Sequence, residues 1–85
     1  MTMETVWQST GTIRYGEVEG CLELTYPAND DCFRLQVGEV VIGEFHAHIM
    51  GDVGRLKNML ESMATNGADV RTASSVIDRI SKASH

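Results

Sequence analysis

Two histidines and a glutamate that alternate along one segment are the residues best suited to chemistry in this sequence. Glu44, His46 and His48 occupy every second position, which puts their side chains on one face if the segment is a strand. The two histidines would stand roughly 6.5–7 Å apart and could share a metal ion, whereas Glu44 and His48 would be about 13 Å apart. Because a metal site needs several converging ligands, we expect no physiological metal site here and no cofactor.

A nucleophilic site is the second chemical possibility. Cys21 could attack a substrate with His46 or His48 as its base, but the sequence around it contains no glycine-rich oxyanion turn. The segment Gly51–Gly54 has two glycines and lacks the lysine of a phosphate-binding loop. We therefore expect that the chain is not an enzyme and that it has no catalytic residue.

Alternating apolar residues predict strands throughout the first half of the chain. The second candidate strand alternates most regularly, with Val18, Leu22 and Leu24 on one face and Glu19 and Glu23 on the other. Turn residues recur at short intervals, which favours hairpins. The expected strands lie within about residues 6–49, at 6–15, 18–26, 32–37 and 40–49.

Two irregularities are expected in this sheet. Gly11 is a candidate bulge in the first strand. In the fourth strand, a tight Gly38-Glu39 turn would put Ile42 on the core face, yet Phe45 has the opposite parity. A bulge near Gly43 would resolve that conflict.

Helical spacing of apolar residues predicts two helices in the second half. Asp52 and Asp69 are expected to cap helices at about 52–66 and 69–82, and Asn66-Gly67 is expected to end the first of them. The predicted fold is therefore a single α+β domain over residues 1–85. It has two layers, a four-stranded antiparallel meander followed by two helices packed on one face, in the order ββββαα.

Composition restricts the setting in which the protein works. The longest strongly apolar run, Val40–Ile42, is far shorter than the roughly 20 residues of a membrane-spanning helix. The first seven residues do not have the pattern of a secretory signal peptide, so we expect a cytoplasmic protein without membrane contact. If Cys21 lies opposite about Gln36, it is about 13 Å from Cys32, and both thiols should stay reduced.

Charge is divided unevenly along the chain. Residues 1–54 hold nine acids and two arginines, a net charge of −7, whereas residues 55–85 have a net charge of +2. An acidic strand half repels phosphate, which argues against direct nucleic-acid binding. The same charge would attract a protein with a basic surface.

A binding role is therefore the leading hypothesis. The sequence predicts a small protein that docks through an acidic sheet face on a basic surface of a larger, nucleic-acid-handling partner, in the manner of phage-encoded inhibitors and antitoxins. The candidate partner-binding residues are Glu17, Glu19, Glu23, Glu44, His46 and His48. One alternative is a homodimer or larger homo-oligomeric assembly protein that pairs through its edge strands. The other alternative is a metal-dependent site at the two histidines.

Overall fold

Four strands and two helices make up this chain in a computed structural model that describes residues 5–27, 31–64 and 66–82. The strands are β1 (Thr5–Tyr15), β2 (Val18–Thr25), β3 (Cys32–Val37) and β4 (Val40–His46), and the helices are α1 (Met50–Met63) and α2 (Gly67–Lys82). The strands form one antiparallel sheet in the order β1-β2-β3-β4. The predicted ββββαα arrangement is confirmed. Residues 28–30 of the predicted loop between β2 and β3, and the first four residues of the chain, lie outside the described residues.

Glycine makes both tight turns of the meander possible. Tyr15 pairs with Val18 and Val37 pairs with Val40, so each turn has two residues. Gly16 and Gly38 hold the first turn position with φ of 63° and 59°, a region that residues with a Cβ rarely adopt. The glycine-first turn predicted at Gly38 is confirmed. Both turns lie at one end of the sheet, called here the hairpin end.

The expected bulge in β4 is present. Leu35 pairs with Gly43 and the next residue, Gln36, pairs with Val41, so Ile42 is the extra residue. This shift returns Phe45 to the core face. The strand ends at His46, three residues before the predicted Ile49.

A second irregularity lies in β1. Gln8 pairs with Glu23 and Thr12 pairs with Cys21, so the segment around Gly11 holds more residues than its partner strand. The buried Ser9 hydroxyl bridges this irregularity, because it donates to the Gly11 carbonyl and accepts from the Leu22 amide.

The predicted register between β2 and β3 is wrong by two residues. Glu23, rather than Cys21, lies opposite Gln36. Cys21 instead accepts a hydrogen bond at its carbonyl from the Gly38 amide. The loop after β2 is long enough that its length does not set the register. The shift places Cys21 further from Cys32, and neither cysteine is in a disulfide.

The two predicted aspartate caps are also wrong. The helix α1 begins at Met50, with Ile49 as an N-cap that makes no side-chain hydrogen bond. Asn66 does not end α1, which stops at Met63; its side chain accepts a hydrogen bond from the Ala68 amide at the start of α2. Asp52 and Asp69 lie in the first helical turns, and their carboxylates bind the backbone of the sheet instead.

The core lies between one sheet face and the two helices. Trp7 belongs to it, since the residue is 8% exposed and its indole N–H donates to Thr72 Oγ1 at 2.9 Å. This contact ties β1 to α2. Neither helix, within the part of the chain that the structure describes, has the length and apolar character needed to cross a bilayer. The main buried side chains are Leu22, Leu24, Phe33, Leu35, Val37, Phe45, Leu56, Leu60, Ala73 and Ile77.

Candidate binding surface

The sheet face turned away from the helices is called here the open face. Alternation places the even-numbered core residues of β2, Leu22 and Leu24, on the helix side and Cys21, Glu23 and Thr25 on the open face. Cross-strand pairing extends the open face over all four strands. Its residues include Thr5, Gln8, Thr12, Arg14, Glu19, Cys21, Glu23, Thr25, Cys32, Arg34, Gln36, Val41, Glu44 and His46.

Two arginines, one on β1 and one on β3, offset part of the acidic charge of this face. Arg14 pairs with Glu19 across β1 and β2, with 3.7 Å between Nη2 and Oε1. Arg34 pairs with Glu44 across β3 and β4, with 3.3 Å between Nε and Oε2. The open face therefore holds three carboxylates, with Glu23 as the third, and two guanidinium groups. Its net charge is −1.

The remaining acidic charge lies at Glu23 and in the two turns. Glu23 accepts a hydrogen bond from the Thr5 hydroxyl, which leaves its charge uncompensated. Glu17 and Glu39 are exposed in the turns of the hairpin end. Within residues 5–27, 31–64 and 66–82, no cation lies within 4 Å of any of these three carboxylates.

The two histidines come together as their spacing predicts, but only one belongs to the strand. His46 ends β4, and His48 follows in a turn, with their ring centroids 5.8 Å apart. His46 Nδ1 accepts from the His48 amide at 3.1 Å, so this nitrogen is occupied by the local fold. His48 Nε2 lies 3.7 Å from Asp31 Oδ1.

Asp31 also binds a tyrosine. The Tyr26 hydroxyl donates to Asp31 Oδ1 at 3.3 Å, and the Tyr26 ring stacks obliquely on Phe33. Partial burial of the phenol, together with the Asp31 carboxylate, raises the pKa of Tyr26 above its usual value of 10.0. The pair joins the end of β2 to the beginning of β3.

Among the described residues, the histidines have nearby metal-ligand types but no complete ligand set. Cys32 lies directly opposite His46 in the sheet, and Asp31 lies beside His48. In the described part of the chain, however, no three histidine, cysteine or carboxylate side chains are arranged to hold a metal ion.

A cleft opens between the ends of the helices, at the end of the sheet opposite the turns. Its volume is about 280 Å³, and its lining includes Ala47, Met50, Val53 and Lys82. A second lysine in this lining, Lys57, is bound to Asp78 at 2.7 Å. Met50, which is 85% exposed, stands at its edge. No local sequence pattern predicts this cleft, because residues distant in the chain form it.

The arginines of the open face were also missed. Arg14 and Arg34 alternate with apolar residues, which identifies them as outward-facing, but only the cross-strand register shows which glutamate each one meets. Comparison of the chain with protein-family models, with curated proteins and with solved structures finds no match.

Proposed function

We propose that this chain is a non-enzymatic, cytoplasmic protein-binding module that docks its open face on a basic surface of a larger protein. The observation that supports this most directly is Glu23, a carboxylate near the middle of the uncovered sheet face with no cation within 4 Å among the described residues. A lysine or arginine of a partner could approach it from solvent. Glu17 and Glu39 extend the negative potential to the hairpin end.

If the basic surface is the site at which the partner binds phosphate groups, docking would block that site. The chain would then act as an inhibitor or antagonist of the partner. Arg34 and Glu44 would then add a fixed pattern of alternating charge, which selects among basic partners rather than attracting all of them. Direct contact of the open face with nucleic acid is disfavoured, because its net charge repels phosphate.

Pairing of edge strands between two copies is the second candidate, and two contacts weaken it. The Thr10 amide of the edge strand β1 donates to Asp69, and the His46 amide of the edge strand β4 donates to Asp52. Amides that already have acceptors are not available to a neighbouring strand. The bulge at Ile42 further interrupts the edge of β4.

Affinity capture from the native host cell, with two matched charge reversals, tests the proposal. Glu23→Lys changes the open face, whereas Glu61→Lys makes the same change in net charge on the exposed surface of α1. We expect Glu61→Lys to retain the captured partner and Glu23→Lys to lose most of it. Equal retention by both variants would show that the open face is not the docking surface.

A further inference from the structure

The hairpin end carries two exposed apolar side chains, Tyr15 and Val40, together with apolar side chains that are only partly buried. The pairing of β1 with β2 extends to Tyr15 and Val18, whereas the pairing of β2 with β3 extends only to Leu22 and Val37. The end of the β1–β2 hairpin therefore projects beyond the end of β3. Tyr15 lies opposite Val18 in this projecting ribbon, and Ile13 lies opposite Gly20. These residues share the helix-side parity of Leu22, yet Tyr15 remains 44% exposed.

Apolar residues of β4 and α1 continue this surface. Val40, opposite the buried Val37, is also 44% exposed. The Met59 sulfur lies 3.9 Å from the position of a Cβ on Gly43, and Met63 follows one helical turn later as the last residue of α1. The exposed Tyr15 and Val40, together with Ile13, Val18 and Met63, which are partly buried against the core, are called here the hairpin shelf.

Acidic residues stand at the border of the hairpin shelf. A Cβ on Gly20 would lie 2.9 Å from the backbone of Gly38, so the second turn is packed directly against the first hairpin. The exposed Glu39 precedes Val40 in the second turn, and the exposed Glu17 precedes Val18 in the first. The cation of this hairpin, Arg14, is paired with Glu19 on the open face.

We infer that the hairpin shelf is a second docking surface, which binds an amphipathic basic segment of a partner protein. Apolar side chains of the segment would pack on Tyr15 and Val40, and its lysines or arginines would meet Glu17 and Glu39. Tyrosine is a frequent anchor of protein interfaces, and methionine adapts to apolar partners of different shape. This surface lies on the opposite side of the sheet from Glu23, so the inference is independent of the proposed function.

An 18-residue peptide of leucine and lysine in an amphipathic helical pattern is a suitable probe, with a peptide of the same composition and permuted order as its control. We expect the amphipathic peptide to bind about tenfold more tightly than the permuted one in fluorescence anisotropy. Amide shifts in two-dimensional NMR should concentrate at Ile13–Val18, Val40 and Met63. Tyr15→Ser should remove most of the preference, whereas Glu23→Lys should leave it unchanged.

Three results would overturn the inference. The first is equal affinity for the two peptides, or binding of neither. The second is a set of amide shifts confined to the open face or to the cleft at Met50. The third is a wild-type protein whose mass in solution exceeds that of the monomer, together with a Tyr15→Ser variant whose mass is lower. In that case a second copy of the chain would occupy the hairpin shelf. Retained dispersion of the NMR spectrum of Tyr15→Ser establishes that this variant is folded.

Discussion

The Asp69 carboxylate, in the first turn of α2, accepts hydrogen bonds from both the backbone amide and the hydroxyl of Thr10, each at 3.1 Å. Asp52 makes the corresponding contact in the first turn of α1, where it accepts from the His46 amide at 2.9 Å. Each helix is thus joined through its first turn to the backbone of one edge strand. The positive end of each helix dipole favours a carboxylate at this position.

Removal of the Asp69 carboxylate should destabilise the fold substantially. Asp69 is 7% exposed, and Asp69→Ala would leave the Thr10 amide without its acceptor. We expect the free energy of unfolding to fall by about 2–3 kcal/mol in urea denaturation. Thr10→Val, which removes only the hydroxyl donor, should cost about 1 kcal/mol. A smaller loss for Asp69→Ala than for Thr10→Val would contradict this assignment.

Prediction from sequence succeeds for some elements of this fold and fails for the aspartate contacts. The alternation of Leu22 and Leu24 predicts β2, and the parity conflict between Ile42 and Phe45 predicts the bulge in β4, because both signals are local. An aspartate at the start of a helix is an equally local signal, but it does not show whether the carboxylate caps its own helix or binds a neighbouring strand. Asp69 takes the second option because α2 packs against β1.

The candidate site was less predictable than the fold, because its charge depends on contacts between strands. The sequence places Glu19 and Glu44 on an outward face correctly. It does not show that Arg14 and Arg34 lie beside them, since that requires the register of two strand pairs. The cleft at Met50 depends on how two helix ends meet, which no local pattern encodes.

Glycine substitutions should separate close packing from helix propensity. Gly20→Ala would place a Cβ 2.9 Å from the backbone of Gly38, so we expect a loss of about 1–3 kcal/mol in the free energy of unfolding. Gly54→Ala, inside α1 with no atom within 4 Å of its Cβ position, should stabilise the fold by about 0.5–1 kcal/mol. A Gly20→Ala variant as stable as the wild type would show that the second turn does not pack against Gly20 of β2.

Acid should weaken the contacts of two aspartates. The hydrogen bond from the His46 amide, followed by the one from Arg55, lowers the pKa of Asp52, and the Lys57 ammonium lowers the pKa of Asp78. The pKa of each aspartate is lower in the folded than in the unfolded state, so its contacts stabilise the fold above the ordinary aspartate pKa of about 3.9. This stabilisation is lost as the pH falls from there through the folded-state pKa.

Melting temperatures at pH 6 and pH 3 measure this effect. The difference between them should be smaller in Asp52→Asn and Asp78→Asn than in the wild type. Glu61→Gln is the control, because Glu61 has no hydrogen bond or ion pair within the described residues. The same acid dependence in all four proteins would show that these contacts do not contribute.

Alkaline titration should report on the contact between Tyr26 and Asp31. In Tyr15→Phe, the absorbance of the one remaining phenol should titrate with a midpoint above 10.0, because burial and the Asp31 carboxylate raise the pKa of Tyr26. Asp31→Asn in this background should lower the midpoint only partly, since burial is the larger cause. Stability that depends on the neutral phenol is present below pH 10 and is lost as the pH rises through the folded-state pKa. A midpoint below 10.0 would rule out the hydrogen bond.

The most direct test of docking through the open face is the association rate of the captured partner, measured by surface plasmon resonance at several salt concentrations. Removing an exposed carboxylate reduces electrostatic steering, which acts over about 8 Å at physiological ionic strength. We predict that Glu23→Lys slows association about three- to fivefold at low salt, that Glu61→Lys does not, and that the difference disappears at high salt. Equal association rates for Glu23→Lys and the wild type, or an equal slowing by Glu61→Lys, would contradict the account.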